Sequence, residues 1–98
     1  MAKLKWTEQA LNDVEAIAIY IARDSFFYAQ AFAQRIFDSV QRLEIFPESG
    51  RLVPEVAQQN IREVLHGNYR VIYRVKNDFV EILTVYHSSR LLDKNSIT

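Results

Sequence analysis

Cysteine is absent from this 98-residue chain, and glycine and proline appear only twice each. The first absence excludes disulfide scaffolds and thiolate metal sites. The second argues against a disordered or low-complexity chain, as does a hydrophobic content of 49%. No apolar run approaches the roughly 20 residues that a membrane helix needs. The start, MAKLKWTEQA, passes from two lysines into polar residues without the apolar stretch of a secretion signal. The expectation is a cytoplasmic protein with no membrane association. No excess of charge is present either, since twelve Lys/Arg balance twelve Asp/Glu. The balance is uneven along the chain. Residues 1–50 carry five basic and seven acidic side chains, and residues 51–98 carry seven and five. A surplus of two charges is a weak footprint for nucleic acid.

Glycine-rich phosphate loops, nucleophile elbows and HExxH are missing too. His66 and His87 are the only histidines and no spaced carboxylate set accompanies them, so neither a metal site nor a cofactor is expected.

What is present reads as one domain over residues 1–98, because the length suits a single core. Lys3 to Trp6 alternates like a short strand. Thr7 then suits an N-cap, with Glu8 in the first turn. Ala10, Leu11, Val14, Ile17, Ala18 and Ile21 recur at helical spacing, with Asn12, Asp13 and Glu15 on the other side, and the helix ends near Asp24. Ser25 caps a second helix whose stripe is Ala29, Phe32, Ala33, Ile36, Val40 and Leu43, stopped by Pro47 and Gly50. Residues 47–59 form a connection. From Asn60 the period becomes two, giving strands over Ile61–Leu65, Tyr69–Lys76 and Phe79–Tyr86, joined at Gly67-Asn68 and Asn77-Asp78. The fold class is α+β in the order β-α-α-β-β-β, with a helix hairpin on one face of an antiparallel sheet and the other face free. Phe26, Phe27, Tyr28 and Phe32 belong to the hairpin, as core or as a patch for a partner, rather than to a base-stacking platform.

A two-residue turn at Asn77-Asp78 sets Arg74 against Glu81, Ile72 against Leu83 and Arg70 against Val85. His87 then follows on the face of Arg70, and Tyr86 points away. Arg74 has an acid opposite it and reads as a structural ion pair. Arg70 has none. It fits anion recognition or partner binding as well as it fits a strand-end arginine that reaches water. With Glu55 as base, Arg70 as clamp and His87 as acid, the cluster has the parts for cleaving a phosphodiester. A hydrogen-bonded structural histidine is the commoner fate of such a residue, and catalysis takes the smaller share.

The motifs also come in a familiar order: Trp6-Thr7-x-x-Ala10, Tyr20-Ile21-Ala22 before Asp24-Ser25, Gly50-Arg51 before Val53-Pro54-Glu55, Ile61-Arg62-Glu63, Tyr69-Arg70-Val71-Ile72-Tyr73-Arg74, and Val85-x-His87-x-x-Arg90. Over Lys3 to about Leu91 the chain resembles the RelE/ParE superfamily of type II toxin–antitoxin toxins, on the ParE-like side. That resemblance implies the same layout, a cognate antitoxin partner, a role of the plasmid-stabilisation kind, and DNA gyrase as target, with no catalytic residue. Arg70, Tyr86, His87 and Arg90, within a target surface running to Asp93, are then the target-binding residues. The alternative it implies is a RelE-like, ribosome-dependent mRNA endonuclease with Glu55 as general base, Arg70 on the scissile phosphate and His87 as acid. Such relatives carry an aromatic after the histidine, where this chain has Ser88. The accompanying expectation is that Arg70→Ala weakens function and leaves folding intact.

Overall fold

The computed structural model describes residues 1–89. β1 (Lys3–Trp6) leads into α1 (Glu8–Ala22) and α2 (Phe26–Ser39), followed by a 3-10 turn over Gln41–Glu44. β2 (Arg51–Leu52), β3 (Ile61–His66), β4 (Tyr69–Val75) and β5 (Phe79–His87) follow. The sheet order is β1-β5-β4-β3-β2. The expected β-α-α-β-β-β arrangement, with the hairpin on one face, is the one observed, with β2 as a two-residue addition inside the 47–59 connection. The sheet is mixed rather than antiparallel throughout, because β1 runs parallel to β5 while every other pair is antiparallel.

Each helix starts where its cap chemistry places it. Thr7 accepts the Ala10 N–H at 3.0 Å, and Ser25 accepts that of Tyr28 at 3.2 Å. α2 stops at Ser39, earlier than the stripe predicts. Val40, between α2 and the 3-10 turn, and Leu43, within that turn, still reach the core, because the turn tightens the chain enough to bury both. The main core lies between helices and sheet. Ala10, Val14, Phe32 and Ile36 meet Val64, Val71, Tyr73, Val80, Ile82 and Val85, with Trp6 packed at its margin against Phe37, ring centroids 4.7 Å apart.

A bulge in β5 decides which side chains share a face. Tyr73 pairs with Ile82, but Ile72 pairs with Thr84, so Leu83 is the extra residue. The first turn-and-a-half of α1 and its cap absorb the irregularity. Thr7 Oγ1 donates to the Leu83 carbonyl at 3.0 Å, and one Asp13 carboxylate oxygen accepts both from the Thr84 hydroxyl and from the Val85 N–H. Asp13 is therefore not on the outer side of α1 but turned towards the sheet, satisfying groups the bulge would leave unpaired.

Past the bulge the register moves by one. Arg70 pairs with Tyr86, not Val85, and Tyr69 pairs with His87. This overturns two expectations: Tyr86 shares the face of Arg70, and His87 does not. A single inserted residue reverses every later side chain, because strand side chains alternate with a period of two. The face away from the helices is not fully free either. Val53 and Val56 of the connection lie over Ile61, Ile72 and Leu83 and make a second, smaller core.

Candidate functional site

The strap over this second core is the stretch 53–57, and the ionic cluster beneath it is where the predicted site residues Glu55 and Arg70 meet. Arg70 grips Glu55 with both terminal nitrogens, Nη1 to Oε2 at 2.7 Å and Nη2 to Oε1 at 2.9 Å. Its Nε donates to Glu63 Oε1 at 2.6 Å. The second oxygen of Glu63 accepts from Arg51 Nε on β2. Four charges on three elements of the sheet and the strap thus form one chain. Arg70 is only 5% exposed and Glu63 only 1%. The Glu55 carboxylate raises the Arg70 guanidinium well above its ordinary value, Glu63 adds to this, and burial works against it. The guanidinium carbon stands 5.7 Å from the centre of the Tyr86 ring, a cation–π contact on the same face.

No acid stands directly opposite Arg70, as the turn geometry expects, but the expectation that it is unpaired is overturned. Leu65 and Tyr86 are its direct neighbours across the strands, as the pairing shows, but Glu63 stands diagonally on β3 and Glu55 reaches it from the strap. In this bidentate pair, closed from a third side by Glu63, each of the three guanidinium nitrogens already donates to a carboxylate and the side chain is buried, which is not the arrangement of an open phosphate clamp.

Beside the cluster, β2 is tied in by close backbone approach. Gly50 N donates to the Tyr73 hydroxyl at 2.9 Å, and Arg62 Nη1 donates to the Gly50 carbonyl at 3.0 Å. A Cβ at Gly50 would come within 2.5 Å of that hydroxyl and 2.6 Å of the Glu63 carbonyl, so only glycine fits. Burial raises the Tyr73 phenol above its ordinary value, opposed by the Gly50 N–H, which favours the phenolate.

His87 stands apart on the helix side. Its ring meets the edge of Tyr69 at 5.4 Å, and Tyr69 in turn contacts Phe32 of α2 at 4.8 Å. The Ser89 N–H donates to His87 Nδ1 at 3.1 Å, and the Ser89 hydroxyl lies 2.7 Å from the same nitrogen. Nδ1 is thereby an acceptor, and the neutral ring carries its proton on Nε2. Base, clamp and acid do not converge: Glu55 and Arg70 bind each other on one face while His87 sits on the other. Arg90 and the rest of the expected target segment beyond Ser89 lie outside the described residues.

Arg74 pairs with Glu81 at 3.2 Å, as the turn geometry predicts. Of the hairpin aromatics, Phe32 is core, while Phe26, Phe27 and Tyr28 are 69%, 71% and 65% exposed. With Ile19 and Tyr20 of α1, also exposed, they make an apolar patch at the hairpin tip. Sequence reasoning missed Glu63 and Asp13. Glu63 had a usable signal: a two-residue turn at Gly67-Asn68 sets it diagonally beside Arg70. Asp13 had none, since only the bulge gives a carboxylate on α1 something to bind.

Comparison with known proteins agrees with this architecture. The family model for the ParE toxin of the type II toxin–antitoxin system parDE matches residues 4–92. Toxin RelE2 of Caulobacter vibrioides is 37% identical over 92 residues, spanning 93% of this chain and all of the relative. Putative toxin Y4kP of Sinorhizobium fredii is 34% identical over 88% of each chain. A solved structure described as the chromosomal ParDE TA system from P. aeruginosa superposes with a TM-score of 0.73 at 25% identity, covering 89% of this chain and 96% of that one. With the motif order, the helix hairpin on its mixed sheet and these matches in agreement, the chain belongs to the ParE toxin family of type II toxin–antitoxin systems, within the RelE/ParE superfamily.

Proposed function

We propose that this toxin acts on DNA gyrase and is held inactive by a cognate antitoxin, and that it does not cut mRNA on the ribosome. One observation carries the reading. Arg70 is locked between Glu55 and Glu63, and His87 lies across the sheet from both. General acid–base cleavage of a phosphodiester needs a base and an acid within reach of the same phosphate, with a donor free to bind it. Zero net charge supports the same reading, because a ribosome-bound nuclease enters a dense phosphate field.

On this reading Arg70 stabilises the end of the sheet from which Tyr86, His87 and Arg90 contact the target. The antitoxin covers the apolar hairpin tip formed by Ile19, Tyr20, Phe26, Phe27 and Tyr28. Both partners act in the cytoplasm. Among the described residues no helix is long and apolar enough to cross a membrane.

The test is induction of the chain without its antitoxin, followed over time by chromosomal break assays with an SOS reporter and by primer extension on abundant mRNAs. Breaks with intact mRNA are expected, and His87→Gln should not convert the pattern to another. Codon-phased mRNA cuts that precede DNA damage and vanish in His87→Gln would make the nuclease the correct reading.

A further inference from the structure

The two carboxylates that hold Arg70 are not equivalent. Glu63 belongs to β3, its side chain is fully buried, and its second oxygen is taken by Arg51. Glu55 belongs to the strap, and its side chain is 20% exposed. Were Glu55 to leave, Arg70 Nε would still donate to Glu63, and Glu63 would still bind Arg51. No buried carboxylate is orphaned by that step. The strap departs with Glu55, so the freed Glu55 oxygens and the two Arg70 Nη atoms meet water together, and the usual penalty for splitting a buried pair is avoided. The cluster has a seam, and it runs between strap and sheet.

The backbone has the same seam. The ladder between β2 and β3 ends at Leu52, paired with Arg62. The chain is fixed again at Asn60, whose carbonyl accepts from Val75 N at 2.8 Å. Between these points the strap bonds to itself. Val56 N and Ala57 N both donate to the Val53 carbonyl, at 3.2 and 3.1 Å, and Ile61 N donates to that of Gln58 at 3.1 Å. Ala57 sits at φ of +57°, a conformation that its Cβ disfavours and that release would relax. The apolar hold of the strap is Val53 and the half-buried Val56 over Ile61, Ile72 and Leu83. None of these residues belongs to the helix-side core. A segment tied down by so few apolar contacts opens before the rest of a domain does.

We infer that the strap is a latch. Residues 53–57 lift from the sheet as a unit while the helices, the sheet and the Arg51–Glu63–Arg70 bonds stay formed, and the Glu55–Arg70 pair sets how often this happens. Opening uncovers Ile72 and Leu83 and frees Arg70 Nη1 and Nη2. Tyr86 packs against the same second core, so the closed and open chains present different surfaces around it. Nothing in this depends on which target the toxin acts on.

The absence of cysteine makes the test direct. Val71 and Ile72 are adjacent on β4 and both fully buried, one beneath the helices and one beneath the strap. The single variants Ile72→Cys and Val71→Cys of the full chain are labelled with methyl methanethiosulfonate in urea below the unfolding transition, and the modified fraction is followed by mass spectrometry. Ile72→Cys should react the faster of the two, at a rate that barely rises with urea, because opening the strap exposes little surface. Val71→Cys should show the full urea dependence of global unfolding. Glu55→Gln should speed labelling of Ile72→Cys about tenfold, the worth of one charge-assisted hydrogen bond. Ile36→Val weakens the core that closed and open chains share. It should speed labelling of Val71→Cys and leave that of Ile72→Cys unchanged. Ile61→Cys, buried beneath the same strap, replaces Ile72→Cys if that variant does not fold. Three results would each overturn the proposal: equal rates and urea dependence at the two positions, equal acceleration of both by Ile36→Val, or no effect of Glu55→Gln beneath the strap.

Discussion

On the helix-bearing face of the sheet, Val71, Tyr73, Ile82 and Val85 meet Ala10, Val14, Phe32 and Ile36, and Asp13 makes a polar node beneath the β5 bulge. On the opposite face, positions just as buried are held by Glu63 and Arg70, linked to Arg51 at the edge and Glu55 on the strap. The first face needs only shape and hydrophobicity, which tolerate exchange among apolar residues of similar volume. The second needs matched charges, and neither partner can be lost alone. A buried charge stripped of its counter-ion costs more than the pair ever contributed. The lesson is that the arginine most visible in the sequence of this family member is part of its architecture.

The largest expected effect breaks that second face. Arg70→Ala leaves Glu63 buried with only Arg51 to answer it and releases Glu55 with the strap. It should cost about 3 kcal/mol in urea unfolding. Adding Glu63→Gln should recover part of the loss, because the orphaned charge is gone. A cost below about 1 kcal/mol for Arg70→Ala would show that the cluster does not hold this face. The outcome reverses what the sequence alone suggests, a folded protein with weakened action, and it means that lost toxicity in Arg70→Ala must be read against stability.

Asp13→Ala comes next and probes the polar node of the first face. It removes the acceptor of the Thr84 hydroxyl and the Val85 N–H, so about 2 kcal/mol should be lost. Exchange of the Val85 amide should rise more than that of Val71, which has no bond to Asp13. Equal changes at both would mean that the bulge is held by the β4–β5 ladder alone.

These two residues also mark where the sequence was readable. Element order, both N-caps, the helix hairpin, the Arg74–Glu81 pair and the helix-side core follow from periodicity and turn chemistry, which are local. The candidate site depends on one residue, Leu83, that no local signal marks as extra. Alternation carried straight through it puts His87 beside Arg70 and sends Tyr86 away, and both placements invert. The strap is equally illegible. The sequence sets Glu55 near Arg70 only as parts of a catalytic cluster, and nothing in residues 47–59 says that the two bind each other, because the partner lies fifteen positions on and the path turns at Ala57, a non-glycine residue with φ of +57°. Long-range charge pairing and one inserted residue are tertiary facts, and the candidate site is made of both.

The smallest effect separates burial from charge on a single face. Glu81 has the same chemistry as Glu63 and the same kind of partner, but Arg74 and Glu81 are each 25% exposed at the side chain. Water already solvates both ions, so the pair gains little by meeting and holds its geometry at some entropic cost. Glu81→Gln should lose less than about 1 kcal/mol, and 1 M salt should erase the difference from the parent chain, since screening there acts within about 3 Å. Glu63→Gln, made in the otherwise unchanged chain, should keep its larger penalty in the same salt, because ions do not reach a carboxylate that water does not. If salt flattened both variants alike, the contrast between a structural cluster and a solvated pair would fail, and Arg70 would again be a residue that a ligand could claim.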